Sequence, residues 1–257
     1  MRRFLESRVA RKILELIRFF GGLDIPVHAA NACFFISLSA FPALALTSGL
    51  LRYSGLEIAS LEELLGGIVP AALMPTVEVL VEDTWENVTA GLVGLSALTT
   101  LWSAGRGIYA LMTGLDAVCG LREDRGYIRK RLVCTVYTVL FLLILLLTLA
   151  LHVFWPKGRL LRLGALLTAQ ILVFTLVYMF LPCRRGSFRE SLPGAVLTGL
   201  GWSVFAWGFS LYVVHFSDTS GIYGPVYTLA LAMLWLYFCM VILLFGGAVN
   251  RLLGQKR

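Results

Sequence analysis

The chain has 257 residues, of which 58% are apolar and 14% are charged, whereas a soluble domain has roughly 45–50% apolar and about 25% charged residues. Its mean hydropathy is +0.83 and its formal net charge is +7, so much of its surface must face lipid rather than water. This composition excludes a disordered chain, a disulfide scaffold and a secreted enzyme.

Residues 1–24 predict a cytoplasmic amphipathic segment that precedes the membrane domain. Apolar residues recur at helical spacing between Val9 and Phe20, and basic residues occupy the other positions. A helix of this kind lies in the membrane interface with its apolar face in the lipid. The first long apolar stretch, which starts at Ile25, is too long for the core of a signal peptide, so cleavage is not expected.

The rest of the chain predicts an all-α, polytopic membrane domain over residues 25–250, followed by a basic cytoplasmic tail, 251–257. About 20 apolar residues suffice for a helix to cross the hydrocarbon core. Six stretches meet this length, and Arg106 interrupts the second of them. They are Pro26 to Leu51, Val88 to Ala117, Leu132 to Trp155, Leu163 to Pro182, Pro193 to Phe216 and Pro225 to Val249.

The distribution of Lys and Arg predicts that both termini are cytoplasmic. The chain has 22 of these residues, and all but five fall in the N-terminal segment, the second and fourth connections and the tail. Positively charged connections stay in the cytoplasm. The same residues account for the positive net charge of the chain, because basic side chains at the cytoplasmic face are attracted to anionic lipid headgroups. Membrane lipids are therefore the expected partners, nucleic acid is not expected, and the oligomeric state is left open.

The outward connection, residues 52–87, carries seven of the fifteen acidic residues of the chain. Val77, Leu80, Val81 and Trp85 share one helical face, which predicts a short amphipathic helix between the breaks at Pro70 and Pro75 and the second span. The connection is interpreted as a solvated cap over the outer side, with a ligand or cation site as the alternative.

Two stripes of residues follow helical spacing along the second span. The polar and aromatic stripe consists of Thr99, Trp102, Arg106, Tyr109, Thr113 and Asp116. The small-residue stripe, about 100° around the helix, consists of Ser103, Gly107, Ala110, Gly114 and Ala117. Small residues let a neighbouring helix approach closely, so the polar stripe is expected to face the bundle interior or a cavity.

Arg106 is the costliest residue to place, because a charge near the bilayer centre costs at least ~2.5 kcal/mol. Two interpretations stay open: the side chain snorkels towards headgroups in a structural role, or it lines a pathway and binds a ligand. The simpler explanation for the acidic residue Asp116 is that its carboxylate pairs with Arg122 or Arg125. The six residues predicted to form a polar cavity are Arg106, Trp102, Tyr109, Asn31, Thr113 and Asp116, with the first, second, fifth and sixth spans around it.

The sequence offers little support for catalysis. His28, His152 and His215 have no metal-binding spacing, and neither a P-loop nor a GxSxG segment is present. No catalytic residue, metal or cofactor is predicted. Two close-packing sites are expected from small residues, one in the second span and one at Gly246, Gly247 and Ala248 in the sixth.

Four stretches in order carry a resemblance that covers about residues 20–251. They are AANACFFISLSAFPAL, LWSAGRGIYALMTGLDAVCG with EDRGYIRKRL, SFRESLPGAVLTGLGW, and YGPVYTLALAMLWLYFCMVILLFGGAVN. Their characteristic residues include Pro42, Arg106, Pro193, Trp235 and Asn250. This pattern resembles the YihY/BrkB family of bacterial inner-membrane proteins, formerly labelled ribonuclease BN. The resemblance implies a six-helix integral membrane protein whose biochemical activity is unsettled.

Three functions remain open at this point. The first is transport or translocation of an anionic lipid or metabolite, because an Arg in a low-dielectric cavity favours a phosphate or carboxylate group. The second is a non-transporting scaffold for envelope assembly, which would use the small-residue faces and the acidic connection as contacts. The third, membrane-associated RNA cleavage, is the least favoured.

Overall fold

In the part of the chain that it describes, the computed structural model is almost entirely helical, and no strand occurs there. The described residues are 19–54, 57–66, 69–70, 73–87, 89–121, 126, 128, 130, 132–139, 159–182, 186–216 and 224–254. Most of the predicted amphipathic segment, residues 1–24, lies outside these ranges, as does the tail beyond residue 254.

Seven helices have defined bounds, and residues 132–139 are also helical. In chain order the seven helices are α1 (Ile25–Ser54), α2 (Ile58–Gly66), α3 (Met74–Asn87), α4 (Ala90–Cys119), α5 (Arg159–Phe180), α6 (Phe188–Phe216) and α7 (Gly224–Gly254). Helices therefore occupy the first, second, fourth, fifth and sixth predicted spans. The third predicted span is helical at its start and then continues outside the described residues.

Three of the described helices are long and apolar enough to cross a membrane. They are α1, over Ile25–Tyr53, α6, over Phe188–His215, and α7, over Tyr227–Gly254. Helix α5 has a shorter apolar part, Leu167–Phe180. Helix α4 matches the second predicted span in position, but its polar stripe lowers its hydropathy. The prediction of a helical membrane protein is thus supported by three helices, and the number six remains a prediction.

Helix α7 lies at the centre of the bundle, because it contacts α6, α1 and α4. The most extensive packing joins α1 and α4, and α5 packs on α6 at the opposite side. The core between α5, α6 and α7 is aromatic: Trp202 stacks on Phe174 at 5.2 Å between ring centroids and meets Trp235 edge to face at 6.1 Å. Such aromatic pairs are favoured beyond the area that they bury.

The small-residue stripe of α4 explains its close approach to α1. A Cβ on Gly107 would lie 3.3 Å from the backbone nitrogen of Ile36, and Ser103, Ala110 and Gly114 are also buried. The close-packing prediction for this face is confirmed, except that Ala117 is exposed. Local signals set the ends of α4, since Thr89 caps the N-terminus and Gly120, at φ +67°, ends the helix.

The connection 52–87 contains two helices, α2 and α3, that pack on the end of α1. Val81 on α3 is fully buried against Leu51 and Leu61, and Val77 and Trp85 pack against the same small core. The predicted amphipathic helix is therefore confirmed, with Pro75 inside its first turn rather than before it. Helix α2 was not predicted, although Ile58, Leu61 and Leu65 follow helical spacing.

Candidate functional site

The polar and aromatic stripe of α4 changes its environment along the helix. Thr99, Trp102, Arg106 and Tyr109 are exposed on the surface of the bundle, Thr113 is half-buried, and Asp116 is buried. Only the C-terminal end of the stripe faces the bundle interior. The remainder, including Arg106, reaches the outer surface beside α1.

Two aromatic rings hold the guanidinium group of Arg106. Its central carbon lies 4.9 Å from the ring centroid of Trp102, one turn earlier on α4, and 5.4 Å from that of Phe35 on α1. Cation–π contacts of this kind contribute about 0.5–1 kcal/mol at exposed sites and about 2 kcal/mol or more when desolvated. They fix the position of the charge without using its N–H groups as hydrogen-bond donors. Those donors therefore remain available for an anionic group.

Arg106 lines a cavity of about 280 Å³ between α1, α4, the helical stretch 132–139 and Lys130. Its described lining residues are Asn31, Phe35, Arg106, Tyr109, Ala110, Lys130 and Cys134. The cavity combines two cationic side chains, one amide and one phenol with an apolar wall. This donor set suits a phosphate or a carboxylate, because each of its polar side chains can donate hydrogen bonds.

The structure brings together three of the six residues predicted for the cavity: Asn31, Arg106 and Tyr109. Trp102 is not among the described lining residues but stacks on Arg106. The hydroxyl of Thr113 donates to the Tyr109 carbonyl of its own helix at 2.8 Å. Among the described lining residues none comes from α6 or α7, so the cavity differs from the predicted one in its walls.

Sequence reasoning missed Lys130, which comes from the connection that follows α4. The available signal was the run of basic residues before the third span, which was used only for orientation. Phe35 and Cys134 were also missed, because aromatic and thiol side chains on apolar helices are ordinary core residues. Their proximity to Arg106 depends on which helices pair.

Asp116 lies near the C-terminal end of α4, where Arg251 of α7 contacts the backbone of α4. The guanidinium group of Arg251 donates from Nη1 to the Val118 carbonyl at 2.8 Å and lies 5.2 Å from the ring centroid of Phe19. A cation at a helix C-terminus also complements the helix dipole. Arg122 and Arg125, the partners predicted for Asp116, lie outside the described residues.

A second polar cluster, also missed by the sequence analysis, joins α5, α6 and α7. The Tyr178 hydroxyl donates to the Leu243 carbonyl at 2.6 Å and is 2.6 Å from the hydroxyl of Thr198. Further along the same crossing, the Asn250 side chain accepts from the Gly194 amide at 2.7 Å and donates to the Ser191 carbonyl at 3.1 Å. The polar side chains of this cluster bond to one another and to backbone groups, and a Cβ on Gly194 or Gly246 would collide with its neighbours, so we interpret the cluster as structural.

No group of three or more His, Cys, Asp and Glu residues that could hold a metal ion occurs in the described part of the chain. None of the four cysteines that the structure describes, Cys33, Cys119, Cys134 and Cys239, forms a disulfide bond.

Comparison with known proteins agrees with the helical, lipid-facing architecture. The family described as virulence factor BrkB matches residues 16–257. A Bacillus subtilis protein, YfkH, whose name describes it as ribonuclease-like, is 30% identical over 250 residues, which are 89% of this chain and 90% of YfkH. A membrane protein of the UPF0761 family from Alteromonas mediterranea is 33% identical over 87 residues, 34% of this chain and 30% of that protein.

A second UPF0761 membrane protein, from Nitrosospira multiformis, is 30% identical over 104 residues, 40% of this chain and 24% of that protein. No solved structure shows significant similarity to the chain. Because the family match covers nearly the whole sequence and the described helices are apolar, the chain belongs to the BrkB family of membrane proteins.

Proposed function

We propose that this protein translocates a lipid or a small anionic solute across the cytoplasmic membrane through the cavity at Arg106. In this proposal six helices cross the bilayer and both termini are cytoplasmic. The excess of Lys and Arg in the N-terminal segment, the second and fourth connections and the tail supports that orientation. Helices α1, α6 and α7 supply three of the crossings.

The observation that carries the proposal is the pairing of Arg106 and Lys130 in one cavity of a membrane protein. Charged residues are rare in lipid-embedded helices and commonly mark substrate pathways when they line a cavity. Attraction between opposite charges is also stronger there than in water, because the local dielectric constant is lower. The two cations therefore favour an anion over a neutral solute.

The size of the cavity restricts what it can hold. Pockets for drug-sized ligands have volumes of roughly 300–1,000 Å³, and this cavity, at about 280 Å³, is at the lower end. It can accommodate a phosphate headgroup or a small carboxylate metabolite. Asn31 and Tyr109 would add hydrogen bonds that fix the orientation of the bound group.

Reconstitution into liposomes tests the proposal through Arg106. Arg106→Gln removes the charge and should lower anion or lipid flux about tenfold or more, since one charge-assisted contact is worth about 1.5–3 kcal/mol. Arg106→Lys should retain part of the flux because it keeps the charge but loses the planar fork of donors. Arg189→Gln is the matched control, because Arg189 is exposed on α6 and does not line the cavity.

Unchanged flux in all three variants would contradict the proposal. That outcome, together with stable partners in a pull-down, would favour the scaffold alternative. RNA cleavage would require an activity in highly purified protein that a single substitution abolishes.

A further inference from the structure

The cavity at Arg106 reaches the outer surface of the bundle between α1 and α4. Asn31 and Arg106 both line it, and both side chains are exposed. On α1, Asn31 belongs to an exposed stripe at helical spacing with Val27, Phe34 and Leu38. Asn31 is the polar member of this otherwise apolar stripe.

The matching surface on α4 is also apolar and aromatic around its one charge. Leu98 and Trp102 precede Arg106, with exposures of 69% and 54%, and Tyr109 follows it. Helix α1 is long and apolar enough to cross the membrane, and in the proposed arrangement the exposed apolar face that it shares with α4 lies against lipid. The opening is therefore towards the bilayer, not towards water.

The cavity is large enough for only one part of a lipid molecule. About 280 Å³ suffices for a headgroup but not for a pair of acyl chains. The chains of a lipid bound at Arg106 would have to stay outside, against Phe34, Leu38 and Leu98. An apolar surface beside a cationic cavity is complementary to such a molecule, whereas a soluble anion would gain nothing from the apolar surface.

The two cations come from different segments of the chain. Arg106 is thirteen residues before the end of α4, which is roughly 20 Å along the helix axis. Lys130 belongs to the basic connection that follows α4. The same cavity therefore has one cation from the middle of α4 and a second from the following connection, and a single phosphate group bound there can contact both.

We infer that the substrate is an anionic phospholipid, whose headgroup enters sideways from the bilayer between α1 and α4 and binds Arg106 and Lys130 while its acyl chains remain on the exposed apolar face. This inference rests on the proposed function and narrows its substrate to a lipid. A soluble anion is the alternative that the experiment separates.

Photolabelling in vesicles tests where the lipid lies. The probes are phosphatidylglycerol and phosphatidylcholine that carry the same diazirine group on an acyl chain, each added at trace amounts to vesicles of neutral lipid. Phosphatidylglycerol should label the segments around Phe34 and Leu98 about tenfold more than phosphatidylcholine, because one phosphate contact is worth a factor of that order. The exposed face of α6 at Val204 and Trp207 is the internal control and should be labelled equally by both lipids.

Arg106→Gln should remove the excess of phosphatidylglycerol labelling at α1 and α4. Arg106→Lys should keep most of this excess, and such a result shows that the bundle tolerates a substitution at this position and still folds. Equal labelling by both lipids in the unchanged protein, or an excess that survives Arg106→Gln, would overturn the inference. If flux of inorganic phosphate depends on Arg106 but phosphatidylglycerol labels no more than phosphatidylcholine, the substrate is not a lipid and the proposed function still holds. If neither phosphate flux nor lipid labelling depends on Arg106, both are wrong.

Discussion

At the scale of single residues, Asn250 is the side chain that best illustrates how this bundle satisfies its backbone. It bridges two groups near the start of α6, the Gly194 amide and the Ser191 carbonyl. Pro193 lies between them and has no N–H of its own. An amide side chain supplies one acceptor and one donor, so a single residue of α7 can satisfy both groups.

Asn250→Ala should lower the free energy of unfolding by about 1–3 kcal/mol, because it leaves a partly buried donor and acceptor without their partner. The measurement is the unfolding midpoint in detergent. Asn87→Ala is the matched control, since Asn87 is exposed at the end of α3 and bonds only within that helix. Equal effects of the two substitutions would show that the bridge adds no stability.

The sequence could predict Arg106 as a site residue but not its aromatic neighbour on α1 or Lys130. Arg106 stands out because a charge in an apolar helix needs an explanation wherever it lies. The ring of Phe35 looks like any other apolar residue until α1 and α4 are paired. Asn250 likewise contacts residues that are more than 50 positions earlier in the chain, a distance that no local pattern encodes.

At the scale of whole helices, α6 and α7 cross with almost no space between their backbones. A Cβ on Gly194 would collide with the Gly246 carbonyl, and a Cβ on Gly246 would collide with the hydroxyl of Thr198. The close packing predicted for Gly246 and Gly247 is thereby confirmed. Without the hydrophobic effect between lipid-embedded helices, such close contacts and the bonds of Tyr178 are what hold them together.

Gly246→Ala should destabilise the bundle by about 3 kcal/mol or more, because the added methyl meets backbone as well as side chains and neither can move away cheaply. Gly208→Ala is the matched control on α6, where a Cβ meets nothing within 4 Å. It should be neutral or stabilise by up to about 1 kcal/mol through helix propensity. The readout is the folded fraction on gel filtration together with the unfolding midpoint. A tolerated Gly246→Ala would contradict the crossing.

The positions of the helices were largely predictable, and their pairing was not. Apolar length alone locates α1, α6 and α7, since a span needs about 20 apolar residues. The small residues of α4 indicated which face packs closely but not that α1 is the partner. The cavity was therefore expected among four helices, whereas its described lining comes from α1, α4, Lys130 and Cys134. Apolar faces in a membrane resemble one another too closely to specify partners from one sequence.

At the scale of the whole molecule, acidic and basic residues are distributed unequally along the sequence. The connection 52–87 carries seven acidic residues and contains α2 and α3. Arg52 at the end of α1 donates a hydrogen bond to the Trp85 carbonyl of α3 at 3.2 Å. Most Lys and Arg residues of the sequence fall instead in the N-terminal segment, the second and fourth connections and the tail, which the proposed topology places at the opposite end. Arg251 on α7 contacts the end of α4. This polarity matches a protein that presents its basic end to anionic headgroups in the cytoplasm.

Cysteine labelling in intact cells tests this orientation directly. In a chain whose five natural cysteines are replaced by alanine, Glu57→Cys in the acidic connection and Gly254→Cys at the end of α7 are both exposed positions. A membrane-impermeant maleimide should label Glu57→Cys in intact cells, because the acidic connection faces outward, and should reach Gly254→Cys only after permeabilisation. Permeabilised cells, in which both sites should react, control for the reactivity of each thiol.

Protection of Glu57→Cys together with labelling of Gly254→Cys in intact cells would show that the topology is the reverse of the proposed one. The basic connection that carries Lys130 would then lie at the outer face of the membrane.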